Sequence, residues 1–360
     1  MNPYQRPNIA AMSGYTWGEQ PEDTRTIKLN TNENPYPPSS RVQDALRNLD
    51  STSLRTYPQP TADQLRDAIA HHHGTRREQV VVTNGGDEAL RLAFTTYVEP
   101  GKSFAMASPS YSLYPVLANI HDAPVVEVGL TPDWHLPRDF TDKVNAAGAQ
   151  LTCVVNPHAP SGTLTSTEVL ADIADNLTGL LLIDEAYADF IDPTLQYNSA
   201  ELLKHHHNVL ILRTFSKGYS LAGLRLGYLL GDQSLIDPIV AKTRDSYNIN
   251  HISQILGLAA FKDQDYAQQT WHQVRQDRAT LRADLAELGL ESPVSDANFL
   301  LVQVPPDAHK NAAQLYEHLK TEGILVRYFS TPPLTDKLRI TIGTHEQNQR
   351  LILALKQVLK

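Results

Sequence analysis

Cysteine is almost missing from this sequence: Cys153 is the only one in 360 residues. No internal disulfide framework can form, and a chain so poor in cysteine suits a reducing compartment. An excess of positive charge is missing too. Lysine and arginine total 31 against 40 aspartates and glutamates, a net charge of −9, so no nucleic-acid footprint is expected. No apolar run approaches the length that spans a bilayer, and the start, Met1-Asn-Pro-Tyr-Gln-Arg6, lacks the apolar core of a signal peptide. The expectation is a cytoplasmic protein with neither membrane nor nucleic acid as partner. Low-complexity tracts and short-period repeats are also lacking. Two histidine triplets stand out, His71–His73 and His205–His207. Contiguous histidines cannot all face one ion, and no carboxylate or cysteine lies beside them at a usual ligand spacing, so no metal is expected.

What is present is an alternation of apolar strands and helices. Val80–Thr83, Ser103–Ala107, Pro124–Val128, Leu151–Val155, Leu180–Ile183, Val209–Leu212 and Leu226–Leu230 read as strands with helical segments between most of them. That order implies an α/β fold: a mostly parallel sheet between crossover helices, whose sites collect at the carboxyl ends of strands. Beyond Tyr228 the pattern changes. Helices are expected at His251–Phe261 and Ala279–Leu290, and strands at Phe299–Val304, Ile324–Phe329 and Leu338–Ile342. A capping box at Thr344–Gln347 opens the last helix. The length suits one large and one smaller domain. The expected division is an arm over 1–40, a large domain over 41–250 and a smaller α+β domain over 251–360.

Chemistry-bearing residues follow several of these strands directly. Val209–Leu212 delivers Ser216 and Lys217 into the glycine-punctuated stretch Arg213-Thr-Phe-Ser-Lys-Gly-Tyr-Ser-Leu-Ala-Gly-Leu-Arg-Leu-Gly-Tyr228, which also carries Arg225. A lysine at the mouth of a buried strand is costly unless its amine is solvated, paired or covalently used. Asp184 ends the apolar run Leu180-Leu-Leu-Ile183, where an unpaired carboxylate is expensive, and Tyr187 follows it. Asn84-Gly-Gly-Asp87 turns a strand into a helix. The free amides there suit an anion, and Gly85 and Gly86 let it approach the backbone, although Asp87 could equally serve as a cap. Asn156 opens a proline-rich strand-to-helix turn, Asn156-Pro-His-Ala-Pro-Ser-Gly162, and Thr165–Glu168 supplies a capping box after it. Tyr57 precedes a proline and is held extended.

These segments, in this order, resemble the pyridoxal-phosphate (PLP) aminotransferases of the aspartate-aminotransferase fold type I, over residues 28 to 343. Within them the chain resembles the histidinol-phosphate aminotransferase branch. The carriers are the lysine stretch, the Asp184-Glu-Ala-Tyr187 segment, Asn84-Gly-Gly-Asp-Glu88 for the usual NGSDE, and Lys28-Leu-Asn-Thr-Asn-Glu-Asn-Pro35 for LNxNENP. Asn156–Gly162 resembles NPxNPTG but departs from it at Ala159 and Ser161, and Gly14–Pro21 replaces the PYxPG opening. The resemblance implies a large domain with a seven-stranded, mostly parallel sheet, a smaller α+β domain, and a homodimer.

It also implies roles. Lys217 carries the cofactor, Asp184 faces the pyridine nitrogen, Tyr187 and Asn156 donate to the phenolate oxygen, and Tyr111 stacks on the ring. Ser216, Arg225, the Gly86 and Asp87 amides and the partner subunit's Tyr57 hold the phosphate. Arg339 clamps a substrate carboxylate, Arg327 helps hold a substrate phosphate, and Asn34 and Tyr15 lie near the substrate. The implied reaction is transamination between L-histidinol phosphate and 2-oxoglutarate, giving imidazole-acetol phosphate and glutamate in histidine biosynthesis. Alternatives on the same residues are an aromatic or broad-range aminotransferase and a threonine-phosphate decarboxylase. A PLP-binding regulator is a further one, although the arm before Lys28 is short and neutral for a DNA-binding segment.

Overall fold

The alternation of strands and helices over residues 80–231 builds one seven-stranded sheet. Its spatial order is Val80–Thr83, Gly227–Gly231, Val209–Thr214, Leu180–Asp184, Ala149–Val155, Ser103–Ser108 and Val125–Gly129. Neighbouring strands run parallel except Gly227–Gly231, which is antiparallel to both of its neighbours. The computed structural model describes residues 2–359. Central strands are apolar without alternation because both faces of the sheet are covered. Leu181 and Ile183 join the core on one face and Leu182 the core on the other. All three are fully buried, each worth about 1.5–3 kcal/mol relative to exposure.

A third core lies around the antiparallel strands Phe299–Gln303, Lys337–Thr341 and Arg327–Tyr328, with helices Ala312–Thr321 and His345–Leu359 packed on it. The stretch expected as one strand over 324–329 is split. Ile324–Leu325 pairs in parallel with Ile27–Lys28 of the N-terminal segment, whereas Arg327–Tyr328 turns into the other sheet. The helix His251–Phe261, expected in the C-terminal unit, packs against helices Ser40–Arg47 and Asp63–His73. Its Leu256, Ala260 and Phe261 belong to the large sheet's core. The core changes within the next helix, Gln264–Ala286: Ala267 lies on the sheet side, and Val274 and Leu281 lie in the third core.

Caps follow the sequence with one shift. Ser166, rather than Thr165, caps Thr167–Asn176 by accepting from the Val169 amide at 3.4 Å. The last helix has its box, with reciprocal bonds between Thr344 and Gln347. Within the histidine triplets, His73 bonds the Tyr228 hydroxyl at 2.9 Å, His206 meets Asp175, and His207 meets Asp232. Among the described residues no cluster of three or more His, Cys, Asp or Glu is placed to hold a metal, and no helix is long and apolar enough to cross a membrane.

Candidate active site

Three adjacent parallel strands end at one place. Leu180–Asp184 and Val209–Thr214 pair with Asp184 opposite Leu212, and the Asn156 amide donates to the Asp184 carbonyl at 2.8 Å. The Asp184 side chain is buried, and among the described residues no cation lies against it. Oδ2 accepts from the Tyr114 hydroxyl at 2.6 Å and Oδ1 from the Ala186 amide at 3.1 Å. Burial pushes its pKa up to about 6, and these two donors pull the other way. A carboxylate kept this dry is poised for a cationic partner that the chain does not itself supply.

Lys217 sits four residues beyond the Arg213 position of the next strand, half-buried, with Nζ donating to the Thr31 carbonyl at 2.9 Å. Burial first, then the nearby Arg339, lowers its pKa to about 8. A neutral amine is therefore accessible close to neutral pH, as a nucleophile or a base requires.

An anion cradle adjoins the lysine. The helix Gly85–Tyr97 begins with three residues whose amides have no intrahelical acceptor. Gly85 has φ +77°, and a Cβ there would stand 2.8 Å from an Nη atom of Arg225, so only glycine fits. Gly227 packs against the backbone of Gly85 and Gly86 for the same reason of space. Arg225 is oriented by Asp87 at 3.1 Å and by the Ser216 hydroxyl at 3.4 Å. The Ser216 hydroxyl accepts from Thr214 and Arg225, which leaves its own proton free for an anion. Asp87 thus pairs with Arg225 rather than capping the helix.

The remaining expected residues divide. Tyr111 is half-buried, with its hydroxyl 3.4 Å from Asp87 and its ring edge-on to Tyr15 at 5.7 Å. Tyr187 accepts from Asn32 Nδ2 at 3.0 Å and packs edge-on against Phe299. Arg327 and Arg339 face each other across paired strands, and both lie over the Phe329 ring, at 5.5 and 5.7 Å. Arg339 donates to the Asn30 carbonyl at 3.0 Å, while its buried Nε has no partner. A half-buried guanidinium with an unused N–H is a ready seat for an oxyanion.

Asn156 is oriented elsewhere. Its Nδ2 donates to the Thr165 carbonyl at 2.9 Å and the Tyr197 hydroxyl at 2.8 Å, so neither amide proton is left for a phenolate. Asn34 likewise serves the scaffold: Nδ2 donates to the Gly218 carbonyl at 3.3 Å and Oδ1 accepts from the Tyr36 amide. Tyr57 is 80 % exposed and stacks on Tyr247 of its own chain at 4.4 Å.

Sequence reading missed Asn32, Thr31 and Tyr114. Asn32 is buried at φ +56°, bonded to Tyr187, Thr341 and Asn298, and it stood in plain view within the asparagine-rich segment. A separate cleft of about 750 Å³, with Trp134, Tyr197, Asp296 and Lys337 in its walls, contains none of the expected site residues. Converging titratable groups, not volume, mark the chemistry here.

A strand-end carboxylate, a depressed lysine, an anion cradle and paired arginines are the parts of an amino-group transfer site. Similarity to known proteins agrees with that reading. The family model described as aminotransferase class I and II matches residues 24–355. Histidinol-phosphate aminotransferase 1 of Trichormus variabilis is 40% identical over the whole of both chains. Its namesake from Nostoc sp. is 41% identical over 100% of this chain and 99% of its own. The crystal structure of histidinol-phosphate aminotransferase from Sinorhizobium meliloti in complex with pyridoxal-5'-phosphate superposes with a TM-score of 0.86 at 27% identity, covering 92% of this chain and 90% of that one. A Thermus thermophilus aspartate aminotransferase variant, 21% identical with a TM-score of 0.81 over 99% of each chain, shares the fold. Topology, site and similarity converge: this chain belongs to the class I and II aminotransferases, with the type I fold of PLP-dependent transferases.

Proposed function

We propose that this protein transfers the amino group of L-histidinol phosphate to 2-oxoglutarate, giving imidazole-acetol phosphate and glutamate, with pyridoxal 5'-phosphate as cofactor. One observation carries the chemistry: Asp184 and Lys217 follow neighbouring parallel strands, the first a dry anion and the second an amine lowered to about 8. The relatives that are 40–41% identical over their whole length support the substrate.

The residues fit the cofactor on their own terms. A phosphate suits the amides of Gly86 and Asp87, the free Ser216 proton and the Arg225 guanidinium. A protonated ring nitrogen suits the cation-less Asp184. When bound, pyridoxal phosphate supplies the electron-withdrawing ring that stabilises negative charge on the substrate carbon.

The chain does the rest. Lys217 would hold the cofactor, and its neutral Nζ, once freed by the incoming amine, would take the proton from the substrate carbon that bears nitrogen and hand it on to the cofactor's carbonyl-derived carbon, ending neutral again. Asp184 stays anionic to keep the ring nitrogen charged. Tyr187, held by Asn32, would present its hydroxyl to the ring's phenolate, and Tyr111 would cover a face of the ring. Arg339, with an unused N–H, and Arg327 beside it seat the anionic ends of the two substrates in turn: a phosphate ester in one and carboxylates in the other. Tyr15, edge-on to Tyr111, would lie beside the substrate.

The same reading places Tyr57, exposed on this chain, against the cofactor phosphate of a second copy in a cytoplasmic homodimer. Residues 41 to about 267 form the cofactor-binding unit, and the third core forms the smaller one.

Steady-state assays with histidinol phosphate, phenylalanine and threonine phosphate test the assignment. A kcat/KM for histidinol phosphate at least 100-fold above that for phenylalanine is expected, a discrimination of about 2.7 kcal/mol. Preference for phenylalanine, or release of carbon dioxide from threonine phosphate, would replace it.

A further inference from the structure

Tyr114 belongs to none of the expected contacts, yet it touches two of them. It lies in the first turn of the helix Leu113–Ile120 and is fully buried. Its hydroxyl donates to Asp184 Oδ2 at 2.6 Å, across 70 residues of sequence. Its ring meets the Tyr111 ring edge-on, with centroids 5.5 Å apart and planes at 90°. One side chain therefore stands behind both the carboxylate meant for the ring nitrogen and the aromatic meant for the ring face.

We infer that Tyr114 is a positioning residue for the cofactor, whose hydroxyl fixes the Asp184 carboxylate and holds it ionised at neutral pH. This rests on the cofactor reading above. A carboxylate in an apolar strand end has only its donors to resist protonation, and Asp184 has two, Tyr114 and the Ala186 amide.

The other groups around Asp184 do not help it. Asp87, on the helix Gly85–Tyr97, and Glu185, next in its own chain, are like charges that favour protonation. Tyr187 follows on the same segment and stays neutral, since burial pushes its phenol up. Cys153, on the neighbouring strand, lies against Tyr114, and burial pushes its thiol well up. The Tyr114 phenol is itself pushed far up, first by burial and then by Asp184, so it remains a donor throughout the working range. Without its hydroxyl, one of the two supports of the anion is gone while the like charges remain.

The test uses full-length protein and pyridoxamine 5'-phosphate, which binds without a covalent link to Lys217. Its Kd is followed by equilibrium dialysis from pH 5 to 8.5 in wild type, Tyr114→Phe, Asp184→Asn and the Tyr114→Phe/Asp184→Asn double variant. Tyr114→Phe removes one oxygen and keeps the ring against Tyr111. It should move the acid limb of binding up by about one pH unit, so that Kd rises about tenfold near pH 5 and much less at pH 7.5, the loss of one charge-assisted hydrogen bond. On the Asp184→Asn background the same change should have no effect, because there is no carboxylate left to hold. Superimposable profiles for wild type and Tyr114→Phe overturn the inference. So does a pH-independent weakening that persists on the Asp184→Asn background, which would make Tyr114 a packing residue only.

Tyr114→Gln gives a second handle, since it trades the ring for an amide donor. Its acid limb should lie nearer to wild type than that of Tyr114→Phe, and the reverse order contradicts the inference. If Asp184→Asn itself binds as wild type does, the cofactor reading fails, and that outcome is distinct from a failure confined to Tyr114.

Discussion

The two halves of the site are finished to different degrees. On the sheet side, the side chains of Asp184, Asn156 and Glu185 have partners within the chain. Both Asp184 oxygens accept a hydrogen bond, both Asn156 amide protons are donated, and the buried Glu185 pairs with Arg213 at 2.5 Å. On the arginine side, atoms are left over: Arg339 Nε, Asn30 Oδ1 and Thr31 Oγ1 are buried without partners. Unpaired buried donors and acceptors cost on the order of 1–3 kcal/mol each, and a ligand's oxygens or N–H groups could meet these three. The contrast suits a permanent guest on one side and exchanging anions on the other. The strip Asn30–Asn34 joins the halves, because it meets Arg339, Lys217, Tyr187 and Gly218 in turn.

Breaking the sheet side should cost most. Lys217→Ala removes the amine that moves the proton, and turnover should fall about 10⁴-fold, measured in single-turnover experiments; wild-type turnover would dismantle the mechanism. Asp184→Asn keeps the shape and removes the charge. Its kcat should fall on the order of 10²-fold, with weaker cofactor retention on dialysis. The arginine side should show a different signature. Arg339→Lys loses the planar fork, and KM for glutamate should rise roughly 10- to 100-fold while kcat changes less. A drop in kcat with KM untouched would place Arg339 outside the substrate seat.

Two smaller effects sharpen the contrast. Asn32→Gly tolerates the φ of +56° and deletes only the contacts of the side chain, including the bond to Tyr187. It should lower kcat roughly three- to tenfold, the worth of a neutral hydrogen bond. The last concerns pH. The reactive form of Lys217 is the neutral amine, and burial favours that form, so recapture of pyridoxal phosphate by cofactor-free protein should speed up through pH about 8 and then level off. A rate still climbing above pH 10 would mean that the amine is an ordinary solvated one.

What the sequence made legible was local. Asp184 and Lys217 each interrupt or follow an apolar strand, and a charge in that position announces itself without knowledge of its neighbours. The seven-stranded sheet was legible for the same reason. What stayed hidden depended on partners distant in sequence. Tyr114 finds Asp184, and Asn32 finds Tyr187, by folding alone. Asn34 and Asn32 stand in the same short motif, but only the backbone turn at Asn32 aims its side chain at the site. Asn156 was drawn in by its place at a strand end, whereas its amide is committed to Thr165 and Tyr197. The single strand expected over 324–329 divides because Ile324–Leu325 finds its partner in Ile27–Lys28, at the other end of the chain. Nothing in a six-residue window encodes that pairing.

The central claim is that one amine, Lys217, carries the cofactor beside the buried anion of Asp184. Borohydride reduction of the pyridoxal-phosphate-loaded protein, followed by peptide mass spectrometry, tests it directly. The phosphopyridoxyl group should be found on the peptide containing Lys217 and should vanish in Lys217→Ala. A label on another lysine, or equal labelling in the variant, would contradict the account.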